Sequence, residues 1–343
     1  MAGKAVAGVY AGNGINGRQI TGLGFSPKAV ASLILDFSFG QFFFRTSAMT
    51  GNGMSSAGVT NAFQIQSIDA DGFTVGATAG LSANAVGLNY HWIAWDDPLG
   101  EDFASGVYTG DGTNPRSIPC GFTPDAVWCG RKDIGLYSWR SSHSNPAAAF
   151  RWFNGGPWAG LAIVGNGATS FTVDTNLNAN GIEYHWCAWR QSAEFCAVGS
   201  YTGNNTDNRA INHSALVQFS PTWVILDAEQ ITSGSSCAMH MNSLSTGDSS
   251  ITMRTGFSGQ FGDIVQQNLP TGFEVGTQAF ANFLNERYNY TSYGAGIFIP
   301  PPITELPEIL GGGAGAMIPF APYQRYKALR ALGQELNNVV LGP

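Results

Sequence analysis

Charge is scarce in this sequence. Asp, Glu, Lys and Arg make up 11% of its 343 residues, less than half the usual share. The 16 Lys and Arg form no dense run, and the net charge is −7. Nucleic-acid binding needs clustered cations that displace counterions from phosphates, so nucleic acid is set aside as a partner, and anionic membrane surfaces with it. No apolar run approaches the roughly 20 residues that span a bilayer. The opening stretch "MAGKAVAGVYAGNG" lacks the longer apolar segment of a secretory signal, which predicts synthesis in a cytoplasm. The five cysteines, Cys120, Cys129, Cys187, Cys196 and Cys237, contain no CxxC pair. Cys120–Cys129 and Cys187–Cys196 share one spacing, which leaves a disulfide open. Nothing points to an oxidising compartment, however, and buried free thiols are expected. Before residue 320 no 3.6-residue periodicity persists.

What remains is 44% hydrophobic residues and 45 glycines, with Asn, Ser and Thr filling most polar positions. Such a chain stays soluble through amides and hydroxyls, and it suits an all-β protein with many tight turns. Its length suits two to four domains.

One phrase recurs three times: "GVYAGNGINGRQI" from Gly8, "GVYTGDGTNPRSI" from Gly106 and "GSYTGNNTDNRAI" from Gly199. Tyr10, Arg18 and Ile20 match Tyr108, Arg116 and Ile118, then Tyr201, Arg209 and Ile211, with identical internal gaps. A Phe-Ser/Thr-Pro-x-x-Val block follows each, its first residues Phe25, Phe122 and Phe219 spaced 97 apart both times. Each copy closes on an aromatic run, "YHWIAW" from Tyr90, "YHWCAW" from Tyr184 and "YNYTSY" from Tyr288. The copies therefore define modules over 1–98, 99–193 and 194–297, joined by short linkers. Runs such as "AVASLILDFSF", "DAVWCGRK" and "TWVILDA" are rich in β-branched and aromatic residues between Gly, Pro and Asn, as strands are. Alternation places Tyr90 and Trp92 on one face of their strand and His91 and Trp95 on the other. With apolar residues on both faces, that strand is predicted to lie inside its sheet. The fold class expected is all-β: three tandem β-sandwich modules.

Residues 298–343 differ. "IFIPPPITELPEILGGGAGAMIPFAP" reads as an extended Pro/Gly-rich arm. A short helix then carries Tyr326, Leu329, Leu332, Leu336 and Val340 as one apolar stripe. Those five residues are the candidate anchor or interface, docked either on the third module or on another chain.

No residue set points to catalysis, a metal or a cofactor. His91 and His185 are equivalent, but the third copy has Asn289, and a metal needs three or four converging donors. An arginine present in every copy at Arg18, Arg116 and Arg209 suits a turn tied through its carbonyls better than a substrate clamp. Arg45 and Arg140, replaced by His240, read the same way. Asp69 and Asp71 suit turn capping, with a calcium site at "DADG" as the alternative. The feature that suggests recognition is "FRWFNGGPWAG", in which Trp152 and Trp158 flank a turn holding Asn154. The alternatives are an aromatic platform for a sugar or a hairpin with its tryptophans packed inward.

The pattern Tyr-x-Gly-x-Gly…Arg-x-Ile…Gly-Phe-x-Pro-x-x-Val, ending on a Tyr-x-Trp strand, resembles a repeated module of tailed-bacteriophage virion proteins, found in tail-fibre-like and particle-surface proteins. Module 3 departs from it, with Asn205 for the second Gly and no Trp in its last strand. The resemblance implies a β-rich, non-catalytic structural protein, located in the virion and assembled in the host cytoplasm. It implies a capsid decoration, head fibre or tail appendage, partnered by other virion proteins and by copies of itself, a trimer being one such assembly. The competing reading is a carbohydrate-binding adhesin of a tail fibre that contacts a host surface glycan.

Overall fold

Residues 4–34, 42–55, 63–78, 82–133, 136–144, 149–152, 156–158, 162–193, 195–214, 217, 219–229, 237–241, 250–253 and 259–294 are described by a computed structural model. The arm and its proposed anchor residues Tyr326, Leu329, Leu332, Leu336 and Val340 lie outside them.

The first module holds β1 (Lys4–Ala11), β2 (Arg18–Thr21), β3 (Ala29–Ile34), β4 (Phe42–Thr46), β5 (Met54–Ser55), β6 (Ile65–Asp69), β7 (Gly72–Val75) and β8 (Asn89–Asp96). The second holds β9 (Phe103–Thr109), β10 (Arg116–Pro119), β11 (Ala126–Arg131), β12 (Leu136–Ser141), β13 (Ala149–Trp152), β14 (Gly156–Trp158), β15 (Ile163–Asn166), β16 (Ser170–Val173) and β17 (Glu183–Trp189). The third holds β18 (Cys196–Thr202), β19 (Arg209–Asn212), β20 (Pro221–Ala228), β21 (Cys237–Met241), β22 (Ser250–Met253), β23 (Gly259–Phe261), β24 (Val265–Leu269), β25 (Gly272–Val275) and β26 (Arg287–Gly294).

Among the described residues every strand pairing is antiparallel, and the protein is all-β. Each module forms one large sheet, in the orders β1-β8-β3-β4-β5, β9-β17-β11-β12-β13-β14 and β18-β26-β20-β21-β22-β23. Each also forms a three-stranded sheet, in the orders β2-β7-β6, β10-β16-β15 and β19-β25-β24. Register repeats with topology: Arg18 pairs with Val75, Arg116 with Val173 and Arg209 with Val275. A β-bulge recurs at Ile65/Ser67, Ile163/Gly165 and Val265/Gln267.

Two kinds of core follow from the alternation along the aromatic strands. One face of each large sheet packs on its own small sheet. In the first module this core joins Tyr10, Val30, Phe43, Tyr90 and Trp92 to Ile20, Ile65, Phe73 and Val75. The opposite faces of all three large sheets share a single apolar centre. There Trp95, Trp189 and Tyr293, equivalent in the three copies, pack mutually with ring centroids 5.2–5.4 Å apart. Trp128 meets Phe42 and Phe44 of the first module, and Trp223 stacks on Trp95 at 5.6 Å. The modules thus form one compact unit over Met1–Phe298. A void of about 10 Å³ sits among five tryptophans, Ile225 and Tyr293. It is about one water in size.

The Gly in each "GVY" or "GSY" phrase has a packing reason. A Cβ at Gly8 or Gly106 comes within 2.6 Å of the Trp92 or Trp186 ring, and one at Gly199 within 2.4 Å of Tyr290. The glycine lets an aromatic ring of the neighbouring strand lie flat across β1, β9 or β18.

Candidate functional site

At the end of β1, β9 and β18 the chain makes the three polar loops 12–17, 110–115 and 203–208. The same clamp holds each. Arg18 Nη1 donates to Ala11 O at 2.5 Å and to Asn84 Oδ1 at 3.2 Å. Arg116 Nη1 donates to Thr109 O at 2.6 Å and to Asn178 Oδ1 at 3.0 Å. Arg209 Nη1 donates to Thr202 O at 2.7 Å and to Asn282 Oδ1 at 3.1 Å. Each guanidinium also lies 5.2–5.4 Å from the ring centre of Tyr10, Tyr108 or Tyr201, a cation–π contact. The arginines therefore tie turns, as expected.

An asparagine is the third member of each clamp. Asn178 Oδ1 also accepts from Asp111 N, and its Nδ2 donates to Asp111 Oδ1 and Thr113 O at 2.7 and 2.8 Å. Asn84 and Asn282 repeat the pattern, donating to Ile15 O and Thr206 O. Each stands six residues before the closing Tyr90, Tyr184 or Tyr288, a spacing that marks it in sequence. Those tyrosines stack on Tyr10, Tyr108 and Tyr201 at 4.8–5.2 Å. Burial pushes the Tyr10, Tyr108 and Tyr201 hydroxyls well above the ordinary tyrosine range, which suits groups that donate to backbone carbonyls. Asn205, which replaces a glycine, keeps the left-handed turn at φ 61°, against 73° and 77° for Gly14 and Gly112. Asn is among the few residues that tolerate it.

The loop tips differ where the clamps do not. The first module exposes Ile15 and Val86 at 60% and 74%, the third Phe283 and Leu284 at 52% and 53%. The second has Thr113 at the place of Ile15 and Asn180 at that of Val86 and Leu284, with Asp111 where the other copies have Asn13 and Asn204. Thr113 and Asn178 donate to Asp111 and hold its carboxyl down at about 2. The arrangement is a rigid frame offering three different surfaces, and its chemistry is that of contact.

Elsewhere, Arg45 and Arg140 are buried and bond carbonyls. Arg45 Nη2 donates to Met49 O at 3.1 Å, and Arg140 Nη1 to Ile163 O at 3.2 Å on the bulged strand of the facing sheet. Burial lowers the pKa of both. Asp71 accepts from Gly22 N and Gly24 N, and Asp69 from Ser67 and Thr74, the capping role predicted for this turn. His91 and His185 are buried on the central face. His185 Nε2 lies 2.8 Å from Glu183, and its Nδ1 lies 3.3 Å from Thr46 of the first module. Cys120, Cys129, Cys187 and Cys196 are buried free thiols, raised in pKa chiefly by burial.

Ser292 Oγ and His213 Nε2 approach to 2.7 Å, the spacing of a serine nucleophile and its base. Both are buried inside the third module, against Phe219 and Tyr290. No carboxylate orients the imidazole, since His213 Nδ1 has no hydrogen-bond partner among the described residues. This pair is core polarity introduced where the other copies have Gly22 or Cys120 and Ala94 or Ala188.

Of the candidate glycan residues, Asn154 lies outside the described residues. Trp152 pairs across from Tyr137 on β13, and Trp158 from Ala149 on β14, in the outer hairpin of the second large sheet. Among the described residues no three His, Cys, Asp or Glu side chains are grouped to hold a metal, and no helix is long and apolar enough to cross a membrane. No family model, curated protein or solved structure matches the chain.

Proposed function

We propose that this chain is a non-enzymatic structural protein of a tailed-bacteriophage virion: a surface subunit, either capsid decoration, head fibre or tail appendage. One observation carries the reading. Three copies keep the Tyr–Arg–Asn clamp unchanged in geometry, while the residues displayed at the clamped tips diverge. Conserved rigidity with variable display is how a scaffold serves recognition. The repeated motif's resemblance to virion modules supplies the setting, and residues 298–343 supply the attachment to other virion proteins. Copies of the chain assemble with one another on the particle. Deletion of residues 298–343 tests this. The shortened protein keeps its β circular dichroism and no longer co-purifies with particles; retention on particles overturns the anchor.

A second reading, a glycan-binding adhesin of a tail fibre, is favoured by the exposed apolar tips beside amide-rich loops and by the Trp152–Trp158 hairpin. It predicts binding to immobilised host polysaccharide by residues 1–298 within the full chain. Trp152→Ala, Asn154→Ala or Trp158→Ala lowers that binding at least tenfold. Equal binding in all three variants removes the hairpin, and no binding by the parent chain removes the reading.

A further inference from the structure

The three contacts between modules differ in one respect. Modules 1 and 2 are joined by residues 97–102, where the Asp97 carboxylate accepts from Leu99 N, Asp102 N and Phe103 N. Modules 2 and 3 are joined by residues 190–195, where Arg190 pairs with Asp102 and Gln191 N donates to Asp125. Nothing covalent joins module 3 back to module 1. That contact runs through the shared centre, by Trp95 against Trp223 and Tyr293.

The centre also fixes which module fits there. At one register position the three copies carry Ala29, Ala126 and Trp223; at another, Ala31, Trp128 and Ile225. Single indoles beside two small or aliphatic residues fill a centre that three indoles would overpack. The place beside module 1 that Trp223 fills is therefore fitted by a module 3, while module 2 packs on module 1 through Trp128 and Trp189. The contacts are the same whether that module 3 belongs to the same chain or to a second copy, so exchange costs only the linker hydrogen bonds and the entropy of association.

We propose that module 3 leaves modules 1 and 2 together and takes the same seat on a second copy, so that two copies of this chain trade third modules and close as a reciprocal dimer. Residues 190–195 are the hinge. The inference does not depend on a virion setting.

The full chain is unfolded in guanidinium, refolded at about 1 μM and about 200 μM, and sized by light scattering. A domain-exchanged dimer follows mass action in refolding and then persists on dilution, because release requires a module to open. The expected result is monomer at the low concentration, at least a fivefold larger dimer fraction at the high one, and no decay within hours of dilution. Trp223→Ala, which loosens the free contact, speeds exchange between differently labelled dimers, whereas Phe44→Ala at the linker-bridged contact does not. Monomer alone at both concentrations overturns the proposal, as does a dimer that dissociates within minutes of dilution, which marks ordinary surface association. Because the parent chain gives the primary result, failure of either variant to fold leaves the test decisive.

Discussion

Glu183 and Arg287 occupy the same place in two copies and carry opposite charges. Each starts the closing strand of its module, Glu183 across from Thr109 and Arg287 across from Thr202. Their partners are exchanged as well: Lys132 Nζ meets Glu183 Oε1 at 2.6 Å, and Glu229 Oε1 lies 3.6 Å from Arg287 Nε. In both cases the cation also reaches the preceding module, Lys132 to Thr50 O at 3.2 Å and Arg287 to His143 O at 3.0 Å.

A reversed pair can be transplanted. Lys132→Glu alone sets two carboxylates together and loses the bond to Thr50, at a cost of about 1 kcal/mol for a partly exposed pair. Because Glu183 also bonds buried His185, whose place Asn289 takes in the third module, adding Glu183→Arg together with His185→Asn reproduces the third module's arrangement and recovers most of the loss. Thermal midpoints of the single and triple variants, and their salt dependence, check this. An uncorrected triple variant denies that the two sites are equivalent.

Asn178 holds its loop by both ends of one carboxamide. Asn178→Ala removes the bonds to Asp111 N, Thr113 O and Arg116, groups that water still reaches, so each loss costs the net worth of a hydrogen bond, roughly 0.5–1.5 kcal/mol. Denaturant midpoints should fall accordingly, and proteolytic nicking within 110–115 should rise. Arg116→Lys also fails to restore the clamp, since an ammonium cannot span Thr109 O and Asn178 Oδ1 as a planar fork does.

The glycine–aromatic crossings are steric. Gly106→Ala sets a methyl 2.6 Å from Trp186 Cζ2, and overpacking of this kind costs about 1–3 kcal/mol. Pairing it with Trp186→Leu relieves the clash, so the double variant is less destabilised than the two single costs summed. Strict additivity in a double-mutant cycle would count against the contact.

Two buried groups of the third module give opposite pH slopes. Burial takes His213 down from 6.5 to about 4, so the unfolded chain binds the extra proton. Its contribution is complete above pH 6.5 and is lost as pH falls to about 4, to a depth of roughly 3 kcal/mol. Burial, with Glu229 nearby, raises Asp227 well above its usual value. Its contribution is full below the unfolded carboxyl value and is lost as pH rises through the native one. His213→Cys with Ser292→Ala, the pairing of the second module, therefore flattens the acid limb of the stability profile. Asp227→Asn raises stability at neutral pH. Denaturation curves across pH 4–8 separate the two effects.

Much of the fold was legible because the repeat fixes it. Tyr10, Arg18 and Phe25 recur at constant spacing, and the alternation in Tyr90–Trp95 marks a strand buried on both sides. What alternation cannot say is which body lies against each face. Trp92 and Trp95 look alike in sequence, yet Trp92 packs within its own module and Trp95 on the other two. The clamp was half legible for a similar reason. Arg18 stands out in a chain poor in charge, whereas Asn84, one amide among many, reads as an ordinary turn residue until its six-residue interval to Tyr90 is compared across copies.

Trp95, Trp189 and Tyr293 touch one another pairwise, so the triangle they make has no vacant side. A linear array can lengthen by adding units at its end; this one has nowhere to seat a fourth. A fourth copy would have to pack outside this centre, and changes at the periphery leave the triangle untouched.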